Sequence, residues 1–330
     1  MALDQEDGDY DSYVGNTVLT AASTSDGVLG SEQMVDATLV AAAADLVLLE
    51  AETLTAHPTR AQAVRVRATA RVLTLSNELA PGFALPRREL DALSELLDRW
   101  DETSDAGRAH TAHRCAMAVV GQVPSVVRDA VNITLLPTTR MHDEQMFVRC
   151  IQIFESLYRQ VADRIAQSII ALDSGDTARP LALLGEAANR VRATQGLYRV
   201  LTTMPPDAFA VIRAHTNGRS AVQSRPYRQV EDLSAPRPSD GQGPGEAHGM
   251  TLQGTLLLRE ADLGSQPAAD IRKVMRELDS AWRAMKRSHW GVTLKTIGRV
   301  SGTGGTAGAD YLRATAQRAL FPLLTTNTPT

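Results

Sequence analysis

The stretch of sequence that decides the fold is residues 140–173, which read RMHDEQMFVRCIQIFESLYRQVADRIAQSIIALD. It is the longest periodic stretch of the chain. Its apolar residues recur at the three- and four-residue spacing of one helix face. They fall near a single stripe, formed by Met146, Ile153, Leu157, Val161, Ile165 and Ile169. The pattern predicts one long helix with an apolar face to bury.

Segments on both sides of this stretch show the same helical pattern. We predict further helices over residues 31–54, 59–79, 88–100, 110–120, 177–204 and 268–298. No run of alternating apolar and polar residues is long enough to predict a sheet. The predicted fold class is therefore all-α, a helical bundle. Residues 1–30, which are rich in Asp, Ser, Gly and Thr, form a loose N-terminal arm in this interpretation, and residues 31–330 form a single domain. The segment 234–249, SAPRPSDGQGPGEAHG, is expected to be a flexible loop or lid, or a plain surface insertion.

Composition and charge restrict the function further. The chain has 34 Lys and Arg against 38 Asp and Glu, a net charge of −4, so it does not favour a nucleic-acid partner. The acidic N-terminus carries no secretory signal, and the most apolar run is interrupted by Asp45 and Glu50, so no membrane partner is expected and a cytoplasmic location is the default. The two cysteines, Cys115 and Cys150, are too few for a disulfide scaffold and are expected to be buried free thiols.

Two blocks of sequence combine residues that could carry chemistry. Residues 209–231, FAVIRAHTNGRSAVQSRPYRQVE, place four arginines among polar and aromatic residues. Guanidinium groups bind carboxylates in a bidentate way, although a solvated basic loop has the same pattern. Residues 289–312, HWGVTLKTIGRVSGTGGTAGADYL, begin with a histidine near a predicted helix end and continue into a glycine-rich segment. That segment lacks the lysine of a phosphate-binding P-loop and does not follow a strand. A lone histidine of this kind is commonly structural.

Taken together and in this order, the two blocks resemble the tryptophan 2,3-dioxygenase superfamily of histidine-ligated haem oxygenases. That family carries F-x3-R and then, six residues on, S-G-F-Q-S-x-x-[YF]-R-x-x-E. This chain carries Phe209-x3-Arg213 and then SAVQSRPYRQVE from Ser220. The family continues with a helix that ends in a histidine, an R-x-[IL]-G step and G-T-G-G-[ST]-x-G-x-x-Y-L-R. In this chain His289 is followed by KTIG and by GTGGTAGADYLR, which contains Thr303. The resemblance covers roughly residues 205–325, and the N-terminal half matches weakly.

The resemblance implies an all-α fold around a haem b pocket. His289 would be the proximal iron ligand, through a neutral imidazole nitrogen. Arg213 would bind the carboxylate of the substrate, and Thr303 would help to hold the carboxylate and ammonium end. Phe209 would line the aromatic ring of the substrate, and Ser220 would lie near the haem edge.

The distal segment departs from the family's motif. The family has H-x3-E-L-W-F-K at a helix start, and the nearest match in this chain is RMHDEQMF from Arg140. If Glu144 and Phe147 set the register, the family's histidine falls on Arg140. We favour His142, because a histidine can serve both as a hydrogen-bond donor and as a proton shuttle. A capping or surface role for His142 is the alternative.

These features predict an oxygenase that uses O2 or H2O2 to oxidise the aromatic ring of an L-amino acid. Tryptophan or a tryptophan derivative is favoured. Ala221 and Val222 replace the family's Gly and Phe, which suggests a branch in secondary metabolism. One relative links its haem through a cysteine at the position of Thr293, so a thioether link is not expected in this chain. The alternatives are an L-tyrosine or methyltyrosine 3-hydroxylase, a non-catalytic haem- or ligand-binding protein, and a structural helical protein. A homo-oligomer is expected from the family.

Overall fold

The computed structural model describes residues 15, 18–21, 31–215, 224–236, 251–298 and 308–325. Helices make up almost all of these residues, and no strand occurs among them, so the all-α prediction is confirmed. The helices are α1 Ser31–Ala56, α2 Arg60–Leu79, α3 Arg87–Asp98, α4 Asp105–Gln122, α5 Ser125–Ile133, α6 His142–Asp173, α7 Ala178–Leu201, α8 Pro206–His215, α9 Arg225–Ser234, α10 Leu252–Leu263, α11 Ser265–Ile297, α12 Ala309–Gln317 and α13 Pro322–Thr325. In this part of the chain, no helix combines the length and apolar character needed to cross a bilayer.

Two compact units divide the chain. Unit 1 contains Met1–Ser156, Gly196–Val222 and Val292–Thr306, and unit 2 contains Leu157–Gln195, Gln223–Gly291 and Ala307–Thr330. Each unit is therefore assembled from separate parts of the sequence, and the long helices α6, α7 and α11 contribute residues to both. A single domain over residues 31–330 stays a prediction.

Unit 1 is organised around α1, which packs against α2, α4 and α5. The four consecutive alanines 41–44 of α1 are almost completely buried. Such small side chains let neighbouring helices approach closely, and the buried apolar area stabilises the unit at roughly 25 cal/mol per Å².

Two acidic residues of α1 bind α6. Asp45 accepts hydrogen bonds from the guanidinium of the fully buried Arg149, at 2.7 and 2.8 Å. The buried Glu50 contacts His142 at 3.1 Å. Because the order of the partners is reversed between the two helices, α1 and α6 run antiparallel. The acidic residues that interrupt the apolar run of α1 are thus paired inside the unit.

In unit 2, buried arginines connect α6 to α7. Arg190 donates to Gln160 at 2.7 Å, and Arg164 binds Glu186 at 2.7 Å. Local signals set the helix ends in this unit. Thr251 caps α10 by accepting from the Gly254 amide at 3.2 Å, and α10 is followed by glycine 264 with a φ of +81°. A left-handed residue at this position separates α10 from α11 with little steric cost.

Candidate functional site

His289 lies on α11, in the part of this helix that belongs to unit 2. The residue is partly accessible to solvent. Even so, the surrounding protein desolvates its ring, and this lowers the pKa of His289 from 6.5 to about 4. The imidazole is therefore neutral at physiological pH, and a neutral ring keeps the nitrogen lone pair that an iron ion requires. The chemistry of this side chain fits the proximal role that the sequence predicts.

An aromatic cluster of unit 2 is centred on Trp282, which lies on the same helix two turns before His289. Trp282 is fully buried, and the rings of Tyr227 and Tyr158 pack against it with centroids 4.8 and 5.6 Å away. Glu231 accepts from the indole nitrogen of Trp282 at 3.4 Å and from Lys286 at 2.5 Å. These contacts fix α9 against α11.

The residues of α9 explain part of the sequence motif. Ser224 caps α9, because its hydroxyl accepts from the Tyr227 amide at 3.2 Å. Tyr227 and Glu231 are the aromatic and acidic positions of the predicted motif, and both pack on α11. Sequence reasoning assigned no role to these three residues. The serine followed by a proline at the second helical position is the signal that predicts this helix start.

The two predicted substrate residues that the structure describes lie on α8, in unit 1. Phe209 packs edge to face on Phe147 of α6, with ring centroids 5.8 Å apart. Arg213 lies in the last turn of α8 and is partly exposed. The helix is anchored by Ile212, which is completely buried. The sequence predicted these residues as part of one block, and the structure places them on one short helix.

His142 is the first residue of α6, in unit 1, and contacts two residues of α1. Its Nε2 lies 3.1 Å from a carboxylate oxygen of Glu50, and its Nδ1 lies 3.2 Å from the hydroxyl of Thr53. The Thr53 hydroxyl donates its own hydrogen to the carbonyl of Leu49 at 2.9 Å, so it accepts from His142. Both ring nitrogens of His142 therefore lie within hydrogen-bonding distance of side-chain oxygens on α1.

Glu50 is completely buried, whereas the side chain of His142 is 27% exposed. Glu50 also accepts from the side-chain amide of Gln62, whose nitrogen lies 3.0 Å from the backbone carbonyl of Glu50 as well. A buried carboxylate needs such partners, because an unpaired charge is strongly unfavourable away from water. His142 is therefore held at the start of α6 by its contact with α1.

The two cysteines do not offer reactive thiolates. Both are free and buried, as the sequence predicts. Burial raises the pKa of the Cys115 thiol and raises that of the Cys150 thiol further. Protonated, desolvated thiols are poor nucleophiles and poor metal ligands. Among the described residues, no group of three or more His, Cys, Asp or Glu side chains could hold a metal ion.

Curated relatives of this chain share one name. The chain is 27% identical to the tryptophan 2,3-dioxygenase of Anaeromyxobacter dehalogenans over 231 residues, which is 56% of this chain and 86% of the relative. It is 25% identical to the tryptophan 2,3-dioxygenases of a Nocardioides species and of Bradyrhizobium diazoefficiens, over 56–57% of this chain and 83–84% of those proteins. No family model matches the chain. These similarities support the resemblance to the tryptophan 2,3-dioxygenase superfamily that the two sequence motifs indicate.

The predicted site residues are divided between the two units. His142, Phe209 and Arg213 lie in unit 1, and His289 lies in unit 2. Ser220 and Thr303 lie outside the described residues, as does most of the predicted 234–249 loop.

Proposed function

We propose that this chain is a haem-dependent oxygenase that adds oxygen to the aromatic ring of an L-amino acid. Tryptophan or a tryptophan derivative is the favoured substrate, O2 or H2O2 is the oxidant, and the pathway belongs to secondary metabolism. Similarity to curated relatives named tryptophan 2,3-dioxygenase supports this. The observation that carries the proposal is the similarity to these relatives over 56% of the chain, together with the two ordered motifs that contain Arg213 and His289.

Haem b fits this chain through His289. In a histidine-ligated haem protein one neutral imidazole nitrogen would hold the iron, so no cluster of protein ligands is required. When bound, haem supplies the iron that activates the oxidant, while the protein supplies orientation, electrostatics and exclusion of water. The buried cluster around Trp282 fixes α9 against α11, the helix that carries His289.

The proposed substrate residues act by binding. Arg213 pairs with the substrate carboxylate, since a guanidinium forms two parallel hydrogen bonds with that group. Phe209 lines the aromatic ring, and its edge contact with Phe147 limits its rotamers. Thr303 holds the carboxylate and ammonium end, and Ser220 lies near the haem edge in this proposal.

His142 is the proposed distal residue. Its two ring nitrogens lie 3.1 Å from Glu50 and 3.2 Å from Thr53. The partly exposed imidazole can donate a hydrogen bond or a proton to the substrate once it exchanges one of these partners. The contact with Glu50 limits the orientation of the ring, as a carboxylate partner does for a catalytic histidine.

Turnover with isotopically labelled oxygen tests the proposal. The haem-loaded protein is supplied with 18O2 or H2 18O2 and with L-tryptophan or L-tyrosine, and the product masses are measured by mass spectrometry. We expect a tryptophan product heavier by one or two labelled oxygen atoms. A labelled product from tyrosine alone identifies a tyrosine hydroxylase instead. No labelled product from either amino acid, from a protein that holds haem, contradicts oxygenase activity on these substrates and favours a non-catalytic haem protein.

Assembly and location complete the proposal. We propose a homo-oligomer in the cytoplasm, and analytical ultracentrifugation of the haem-loaded protein measures the number of subunits directly.

A further inference from the structure

The turn that joins α7 to α8 is held by two cations from other parts of unit 1. Arg65 of α2 donates from Nε to the hydroxyl of Thr203 at 3.0 Å and from Nη2 to the Thr203 carbonyl at 3.2 Å. Lys295 of α11 donates to the carbonyl of Thr202 at 2.5 Å. The Arg65 side chain is only 8% exposed and also forms an ion pair with Asp143 of α6. The position of Thr203 is thus fixed from α2, while the exposed Lys295 adds a weaker contact.

The backbone between this turn and α8 has little freedom. Thr203 is followed by the buried Met204 and by Pro205 and Pro206, whose rings fix two consecutive φ angles. The Phe209 amide donates to the Pro205 carbonyl at 3.1 Å. A ten-residue helix is marginal by itself, so its direction depends on the segment before it and on its buried face.

We propose that Arg65 is a positioning residue for the substrate carboxylate. By holding Thr203, it sets the direction of α8 and hence the place of the Arg213 guanidinium. This inference rests on the proposed function, in which Arg213 binds the carboxylate. Seven helical steps separate Pro206 from Arg213, a distance of about 10 Å, so a tilt of about 5° displaces Arg213 by about 1 Å. A misplacement of about 1 Å in a binding or catalytic group can lower a rate by about 100-fold.

Neighbouring threonines provide a matched comparison. The hydroxyls of Thr202 and Thr203 donate to the carbonyls three residues earlier, at 2.7 and 2.6 Å. Only the Thr203 hydroxyl accepts from Arg65. The variant T203V removes the hydroxyl that accepts from Nε of Arg65 and leaves the Nη2 bond to the carbonyl of residue 203. T202V serves as the control, and T203S restores the hydroxyl. All three changes leave the ion pair of Arg65 with Asp143 in place.

The experiment measures equilibrium binding to the haem-loaded full chain by the shift of its Soret band. The probes are L-tryptophan with tryptamine, and L-tyrosine with tyramine. For the amino acid that wild type binds, we expect T203V to raise the Kd by about 3- to 10-fold, the range for one lost hydrogen bond. We expect T202V and T203S to stay within about 2-fold of wild type. The decarboxylated amine, which does not engage Arg213, should bind all four proteins alike. The variant R65K, which loses the fork geometry, should show the same selective loss.

Two results overturn the inference while the proposed function stands: T203V binds the amino acid as T202V does, or T203V weakens the amino acid and its amine equally. The second result would indicate a general loss of structure. A wild-type protein that holds haem but responds to neither amino acid contradicts the proposed function on these substrates and, with it, the inference.

Discussion

Replacing Glu50 with alanine tests the contact between α1 and α6 most sharply. The variant removes a fully buried carboxylate that accepts from His142 at 3.1 Å and from the Gln62 side chain. The Gln62 amide keeps its bond to the backbone carbonyl of residue 50, at 3.0 Å, so it is not left without a partner. The loss therefore falls mainly on the charged pair with His142.

The magnitude follows from the burial of the two partners. Breaking a buried ion pair by removing one partner costs about 3–5 kcal/mol. Because the His142 side chain is 27% exposed, water can solvate part of its charge, and we expect the low end, about 3 kcal/mol. At about 2–4 °C per kcal/mol for a unit of this size, the apparent Tm should fall by about 6–12 °C.

Thermal unfolding followed by circular dichroism measures this change, with E52A as the control. Glu52 is two residues away on α1, is 67% exposed and lies 3.6 Å from His113. Exposed pairs of this kind contribute about 0–1 kcal/mol, so E52A should shift the Tm by at most about 4 °C. A double-mutant cycle of E50A with H142A should give a coupling energy of about 1–3 kcal/mol. An E50A protein as stable as E52A, or a coupling energy near zero, would refute the ion pair.

Three further predictions concern the proposed site. R213A should weaken binding of the amino-acid substrate by about 2–4 kcal/mol, as truncating a charge pair does, and leave binding of its decarboxylated amine unchanged. Competition binding measures both affinities. Equal affinity of wild type for the amino acid and the amine would argue against the carboxylate contact. H142A should slow turnover, measured in steady-state assays, by about 100-fold or more while haem binding stays the same. Unaltered turnover would contradict the distal role of His142. Because the folded-state pKa of His289 is about 4 and its ordinary value is 6.5, the unfolded chain binds a proton first as the pH falls. The haem-free protein should therefore lose stability as the pH falls from about 6.5 to about 4. The urea midpoint of unfolding measures this loss of stability, which should be smaller for H289L than for wild type. The control H110L should lose as much stability as wild type, since His110 is exposed.

The long helices could be predicted from sequence because their signals are local. The apolar stripe of α6 predicts residues 140–173, and the structure gives His142–Asp173. The prediction of 59–79 and the observed α2, Arg60–Leu79, agree because Thr59 is a good N-cap and accepts from the Gln62 amide at 3.1 Å. Such helices need no information from distant residues.

Several of the shorter helices were not predicted, although the twelve-residue α3 was expected over residues 88–100. Residues 209–231 form one basic block in the sequence, whereas α8 and α9 lie at its two ends in the fold. No helix was expected at α10 or α12, which span only twelve and nine residues. Helices this short are stabilised by tertiary packing more than by their own propensity, so periodicity is a weak signal for them. The Thr251 cap and glycine 264 do mark the ends of α10 in the sequence.

The environment of the site residues is the part that sequence could not supply. His142 was chosen from its side-chain chemistry, but its partner Glu50 lies 92 positions away. Asp45 and Glu50 counted in the sequence only as interruptions of an apolar run, and in the fold they bind α6. The desolvation of His289 is also a tertiary property, because it comes from the side chains that surround α11.

An absorption spectrum tests the role of His289 as the haem ligand most directly. Wild type and H289A are each reconstituted with hemin and titrated with L-tryptophan and L-tyrosine, with H110A as the control for loss of a histidine. We predict that wild type and H110A show a Soret band that shifts with an aromatic amino acid, and that H289A does not retain haem. A wild-type protein without a Soret band, or an H289A protein with the same spectrum as wild type, would contradict this role.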